Sequence, residues 1–177
     1  SRFGSEIYGA RFPELHDITQ YTAVQPILPG MFQEMPVILE ADSEKALYWI
    51  QRDQIDSSIT SLKHLLCFFN ADFPTSEELN NTLELNESNW YYIPTSQVID
   101  STMYLTIDYG NGYAGLRSYL RSINLNNHQL TNFEYRYPSS FYTFEYEIPT
   151  SALVATGDSL ILVWADLECQ RFNNIAC

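Results

Sequence analysis

The chain reads as an all-β protein, an antiparallel β-sandwich or jelly roll with room for one or two short helices, and three observations point there. Aromatic residues make up 15% of its 177 positions, with 13 Tyr and 10 Phe, a bias towards side chains that suit a pleated, half-buried surface. Several stretches alternate large apolar with polar residues, the side-chain period of a strand. Gly, Pro, Asn and Asp punctuate those stretches at irregular intervals, as turns do in sandwiches. A chain of this length fits one domain and buries roughly 70% of its unfolded surface.

Four of the eight prolines, Pro13, Pro26, Pro29 and Pro36, fall before Asp42. Each fixes φ and removes a backbone donor, which forbids a long helix and limits strands to short pieces such as Tyr21–Gln25 and Val37–Glu40. Residues 1–42 are therefore expected to form an extended arm packing along a β-sandwich domain of residues 43–177. Pro29-Gly30 is a turn signal within the arm.

Ala46–Gln51 is a short strand candidate. Beyond it Ile55, Ile59, Leu62, Leu66 and Phe69 recur near helical spacing, yet Leu65–Phe69 would serve equally well as a buried strand, so residues 55–69 stay open between helix and strand. Residues 70–89 are polar and acidic and read as the longest loop. Asn80-Asn81-Thr82 and Asn86-Glu87-Ser88 match the N-glycosylation acceptor pattern there, a short motif whose safer implication is exposure.

Met103, Leu105, Ile107 and Tyr109 alternate as a strand, and Asn111-Gly112 between tyrosines is the strongest short-range hairpin signal. The returning segment, residues 113–125, also places Leu116, Tyr119, Leu120 and Ile123 on one helical face, so a short helix is the alternative. Phe133, Tyr135 and Tyr137 give one more alternating strand. The stretch Ser139–Cys169 reads as the organising core. Tyr142, Phe144, Tyr146 and Ile148 alternate in its first half, Gly157-Asp158 supplies a turn, and residues 160–165 are apolar on both faces, as in a strand covered on both sides. The count comes to seven or eight strands.

Chemistry is harder to find. Nine Lys plus Arg against 22 Asp plus Glu leave a formal charge of −13, which repels phosphate backbones and argues against nucleic-acid contact. Only Lys45 and Lys63 are lysines. Cys67, Cys169 and Cys177 lack metal-site spacing; Cys169 and Cys177 would close a small terminal loop in an oxidising compartment, whereas three unpaired thiols are the simpler expectation. Residues 1–30 show no signal pattern, and no run approaches the length that crosses a bilayer, so a soluble chain without a membrane contact is expected.

His16, His64 and His128 stand beside no nucleophile or metal signature and read as surface or hydrogen-bonded side chains. Glu145 and Glu147 share a strand face and would flank a sugar as acid and base, but polar-out alternation places acids there anyway. Asp108–Asn111 offers oxygen ligands without the ordered spacing of a calcium loop. No cofactor motif is found. The binding residues expected are Trp90, Tyr91 and Tyr92, whose flat rings supply contact area for little ordering entropy, with Tyr109, Asn111 and Tyr113 at the hairpin.

The expectation that unites these features is a non-catalytic structural or recognition β-domain of a larger assembly, most concretely a capsid or projection domain at a virion surface. Its partners would be further copies of itself or a host or glycan surface. A secreted carbohydrate-binding module is the alternative, and a glycan-active hydrolase on the same fold the third.

Overall fold

A computed structural model describes residues 6–11, 25–28, 33–55, 58–88, 94–110, 116–137 and 151–164. In chain order these form β1 (Ile7–Gly9), β2 (Gln25–Leu28), β3 (Gln33–Ala41), β4 (Glu44–Ile55), β5 (Ser58–Phe69), α1 (Ser76–Asn80), β6 (Leu83–Ser88), β7 (Ser96–Ile99), β8 (Thr102–Gly110), β9 (Leu116–Asn124), β10 (Gln129–Tyr137), β11 (Ser151–Thr156) and β12 (Ser159–Trp164). Every strand pair is antiparallel. The protein is all-β, with one short helix among the described residues.

Two four-stranded sheets, ordered β3-β4-β5-β6 and β10-β9-β8-β7, pack face to face, and β1–β2 and β11–β12 are separate two-stranded ribbons. Each large sheet is a meander of sequence neighbours. The crossovers that a jelly roll's Greek keys require do not occur among the described residues. Of the two architectures expected, the molecule is the sandwich.

The core is organised around β4 and β5. Ala46, Tyr48 and Ile50 point with Leu62, Leu66 and Phe68 into the space between the large sheets, against Met103, Leu105 and Ile123. The intervening residues Leu47, Trp49, Cys67 and Phe69 point the other way, under Ile7 of β1, Ile27 of β2 and Leu79 of α1. Both faces of this strand pair are thus covered, and each large apolar side chain so buried contributes roughly 1.5–3 kcal/mol. Gly9 permits the close cover: a Cβ there would lie 2.4 Å from the Phe73 ring.

Some open alternatives are settled here and some expectations corrected. Residues 58–69 are strand β5, one of the two readings left open; the helical spacing is incidental to a run in which both faces are apolar because both are buried. Residues 116–124 are strand, as the hairpin reading expects, but Gly110 pairs with Leu116, so residues 111–115 separate the strands where a two-residue Asn-Gly turn would set position 110 opposite position 113. The polar stretch of residues 70–89 is not one loop but contains α1 and β6. Leu85 of β6 joins the main core, with Leu83 packed against it, and two inward leucines suffice for a strand in an otherwise polar sequence.

Val37–Glu40 lies within a longer strand that tolerates Pro36. β3 is the sheet edge, and its register shifts between Glu34 and Val37 with Met35 at φ 54°, so the missing donor falls in a bulge. Of the expected strand Tyr21–Gln25 only Gln25 is described, as the start of β2. Twelve strands are found among the described residues where seven or eight were expected, because short polar or proline-bearing segments such as β2, β6 and β7 also pair.

The stretch read as the organising core fares differently in its parts. Residues 138–150 and 165–177 lie outside the described residues. Within the hairpin, Gly157 takes φ 57° and Thr156 pairs with Ser159, so the turn is where Gly157-Asp158 places it. β12 is not covered on both sides. Leu153 is buried, whereas Val154, Ile161 and Val163 are 52, 51 and 60% exposed, since the ribbon leans on the sandwich by one face alone. Ala155 N donates to Gln97 Oε1 of β7 at 3.4 Å to hold it there.

Candidate functional site

Of the binding residues expected from sequence, Trp90, Tyr91, Tyr92, Asn111 and Tyr113 lie outside the described residues, as do His16, Glu145, Glu147, Cys169 and Cys177. Tyr109 continues β8 opposite Arg117, and Asp108 pairs with Ser118 in the same regular ladder. His64 is fully buried, its Nδ1 2.6 Å from the Tyr48 hydroxyl. Cys67 is buried in the outer core layer, where burial pushes its thiol up to about 11, with Glu78 adding to the effect. A thiol so held is protonated and inert at neutral pH.

The third histidine is different. Asn124 Oδ1 and Asn127 Oδ1 accept from the backbone N–H of Asn126 and Gln129 at 2.8 and 3.1 Å, shaping the turn between β9 and β10. That turn carries His128 at φ 53°, a left-handed conformation uncommon for a residue with a Cβ. The ring it presents lies flat on Phe68, with centroids 4.2 Å apart and planes 9° from parallel. Its Nε2 is 2.7 Å from Glu44 Oε2 on the first residue of β4. Turns of the two facing sheets are joined by this pair.

Around the same end of β4 and β5 stands α1. Its start is a capping box: Glu78 N donates to Thr75 Oγ1 at 3.3 Å, while Thr75 N and Oγ1 donate to Glu78 Oε2 at 2.7 and 2.8 Å. The Thr75 backbone N–H, then its hydroxyl, and finally the Asn70 N–H hold the Glu78 carboxyl below its usual range, against a smaller opposing effect of burial. Glu78 is therefore charged at neutral pH. Asn81 closes the helix, its Nδ2 donating to Glu77 O at 3.2 Å.

Together these groups line an open depression of about 230 Å³ bounded by Glu44, Phe68, Phe69, Asn70, Glu78, Asn81 and His128. Lys45 stands beside it, its Nζ donating to Ala71 O at 3.0 Å and lying 5.8 Å from the Phe69 ring centroid. The lining offers the His128–Glu44 pair neither a hydroxyl nor a thiol. No group of three or more His, Cys, Asp and Glu side chains converges as a metal site among the described residues. Nor is any helix there long and apolar enough to cross a membrane.

Sequence reasoning missed this constellation. Thr75-Ser76-Glu77-Glu78 is a legible capping box, and Asn126-Asn127 a legible turn, but nothing local links His128 to a glutamate 84 positions earlier. No family model, curated protein or solved structure matches the chain.

Proposed function

We propose that this chain is a non-catalytic structural and recognition domain of a larger assembly, most concretely a capsid or projection domain of a virion, and that the β11–β12 ribbon is its self-association face. The observation that supports this reading is the apolar strip on the ribbon. Val154 pairs with Ile161 and Ala152 with Val163, so four aliphatic residues share one face, and the three large ones are at least half exposed. Contiguous exposed apolar surface of this kind is what interfaces use, at about 25 cal/mol for each Å² removed from water.

A second copy is the fitting occupant. The strip is uncharged, which matters in a chain of net charge −13, because copies repel each other wherever acidic surfaces meet. A two-stranded ribbon can meet its own two-fold image strip to strip, each residue facing its symmetry mate's partner. The test is native mass measurement over a concentration series, with Val154→Asp and Ile161→Asp beside the parent. Multimers in the parent and monomers in both variants are expected, at unchanged melting temperature. A parent that stays monomeric at the highest concentration overturns the proposal. Glycan-array hits from such a monomer would put the carbohydrate-binding alternative in its place.

A further inference from the structure

The two tripeptides Asn80-Asn81-Thr82 and Asn86-Glu87-Ser88 match the same N-glycosylation acceptor pattern, but they fold into different surroundings. Asn86 lies in β6, where its backbone faces His64 across the ladder with β5. To enter an enzyme's cleft, that tripeptide has to leave the sheet and draw on Leu85, which is buried in the main core. Asn80 is the last residue of α1, a helix of five residues none of which is fully buried. Opening that single turn disturbs no strand.

The side chains of the first tripeptide divide by task. Asn81 closes the helix, its Nδ2 donating to Glu77 O at 3.2 Å and its backbone N–H to Glu78 O at 3.0 Å. The Thr82 hydroxyl donates to Leu79 O at 2.6 Å, which ties the third position to the same turn. Asn80 itself is exposed and its carboxamide makes no hydrogen bond. With Asn81 as the cap, Asn80 has no capping role, and asparagine is a weak helix former. Its amide is spent on nothing in the fold, and the space that a branched sugar needs is open in front of it.

We infer that Asn80 is the acceptor of an N-linked glycan, and that Asn86 is not. The donor class is an oligosaccharide carried on a lipid pyrophosphate. Asn80 Nδ2 attacks the anomeric carbon of the first sugar; the N–C bond forms as the C–O bond to the pyrophosphate breaks, the amide gives up one proton, and the lipid pyrophosphate leaves with the bonding pair. No oxidant or reductant is involved. α1 stands on the outer face of β4 and β5 through Leu79, whereas the β11–β12 ribbon rests on β7 and β8 of the other sheet. A glycan at Asn80 therefore leaves the proposed self-association face clear. The inference rests on the outward-facing setting in the proposed function and not on self-association.

The test is expression of the full chain behind a cleavable signal peptide in a eukaryotic secretory host, read by intact mass and peptide mapping before and after an amidase that releases N-glycans. A single glycan is expected, and the amidase should leave an acid in place of the amide at position 80. Asn80→Gln and Thr82→Ala should abolish it, while Thr82→Ser and Asn86→Gln should retain it. Since the Asn80 amide makes no bond, Asn80→Gln should melt with the amidase-treated parent, which separates loss of the acceptor from loss of the fold. A glycan on Asn86, or a folded secreted chain that carries none, would overturn the assignment. Multimers can be sought in the amidase-treated chain, so such a failure leaves the self-association result standing on its own.

Discussion

The β4–β5 pair and the β11–β12 ribbon are both antiparallel, both rich in aliphatic residues on each face, and opposite in fate. Every residue from Ala46 to Ile50 is buried, whereas Val154, Ile161 and Val163 of the ribbon are half exposed or more. The difference lies in what the topology supplies as cover. β4 and β5 occupy the middle of their sheet, with the second sheet on one face and β1, β2 and α1 on the other. The ribbon pairs only with itself and rests one face on β7 and β8. A run that is apolar on both faces therefore states a demand for two partners, and whether the same chain meets it is decided elsewhere in the fold.

Truncating the same residue type in each region is the strongest way to break this comparison. Ile50→Ala should lower the unfolding free energy by about 2–5 kcal/mol in urea titrations, while Ile161→Ala in the monomer should change it by no more than about 0.5 kcal/mol. Comparable losses at both sites would show that the ribbon is covered after all. A smaller effect probes the polar exception inside the doubly covered pair. Tyr48→Phe removes the hydroxyl that meets His64 Nδ1, and should cost about 1–3 kcal/mol with the fold retained. A neutral result would mean that the pair merely fills space.

The smallest effect concerns the cover itself. Thr75→Ala deletes the capping box of α1 and should cost about 1 kcal/mol, read as faster amide exchange over residues 76–81. Its pH dependence has a definite sign. The Glu78 carboxyl is held below its ordinary value by the Thr75 N–H first and the Thr75 hydroxyl second. Protection of α1 should thus be complete above the ordinary carboxylate range and fall as acid takes pH through the lowered value. In Thr75→Ala that acid-dependent loss should shrink; if it is unchanged, Glu78 is not what links α1 to pH.

Sequence made much of the second sheet readable, because its signals are local. Asn111-Gly112 falls between β8 and β9, alternation over Met103–Tyr109 and Phe133–Tyr137 marks β8 and β10, and Gly157-Asp158 marks the ribbon's turn. The first sheet was harder to read for a physical reason. With both faces buried, β5 loses the alternation that identifies a strand, and its run imitates a helix. β6 has the opposite difficulty, as its outward residues are so polar that Leu83 and Leu85 barely register. The site was illegible because its parts come from four separate places, the β3–β4 turn, the end of β5, α1 and the β9–β10 turn, and only packing unites them. The aromatic residues singled out in the sequence, Trp90 to Tyr92, lie outside the described residues.

The bulge at Met35 and Pro36 governs how such a protein can aggregate. An exposed edge strand invites another chain to extend the sheet, and extension in that direction has no natural end. The bulge at Met35 and Pro36 interrupts the regular run of β3, and a bulged edge is a poor template for a further strand. The ribbon face proposed for self-association would instead give a pair that closes on itself, where a growing sheet has no natural end.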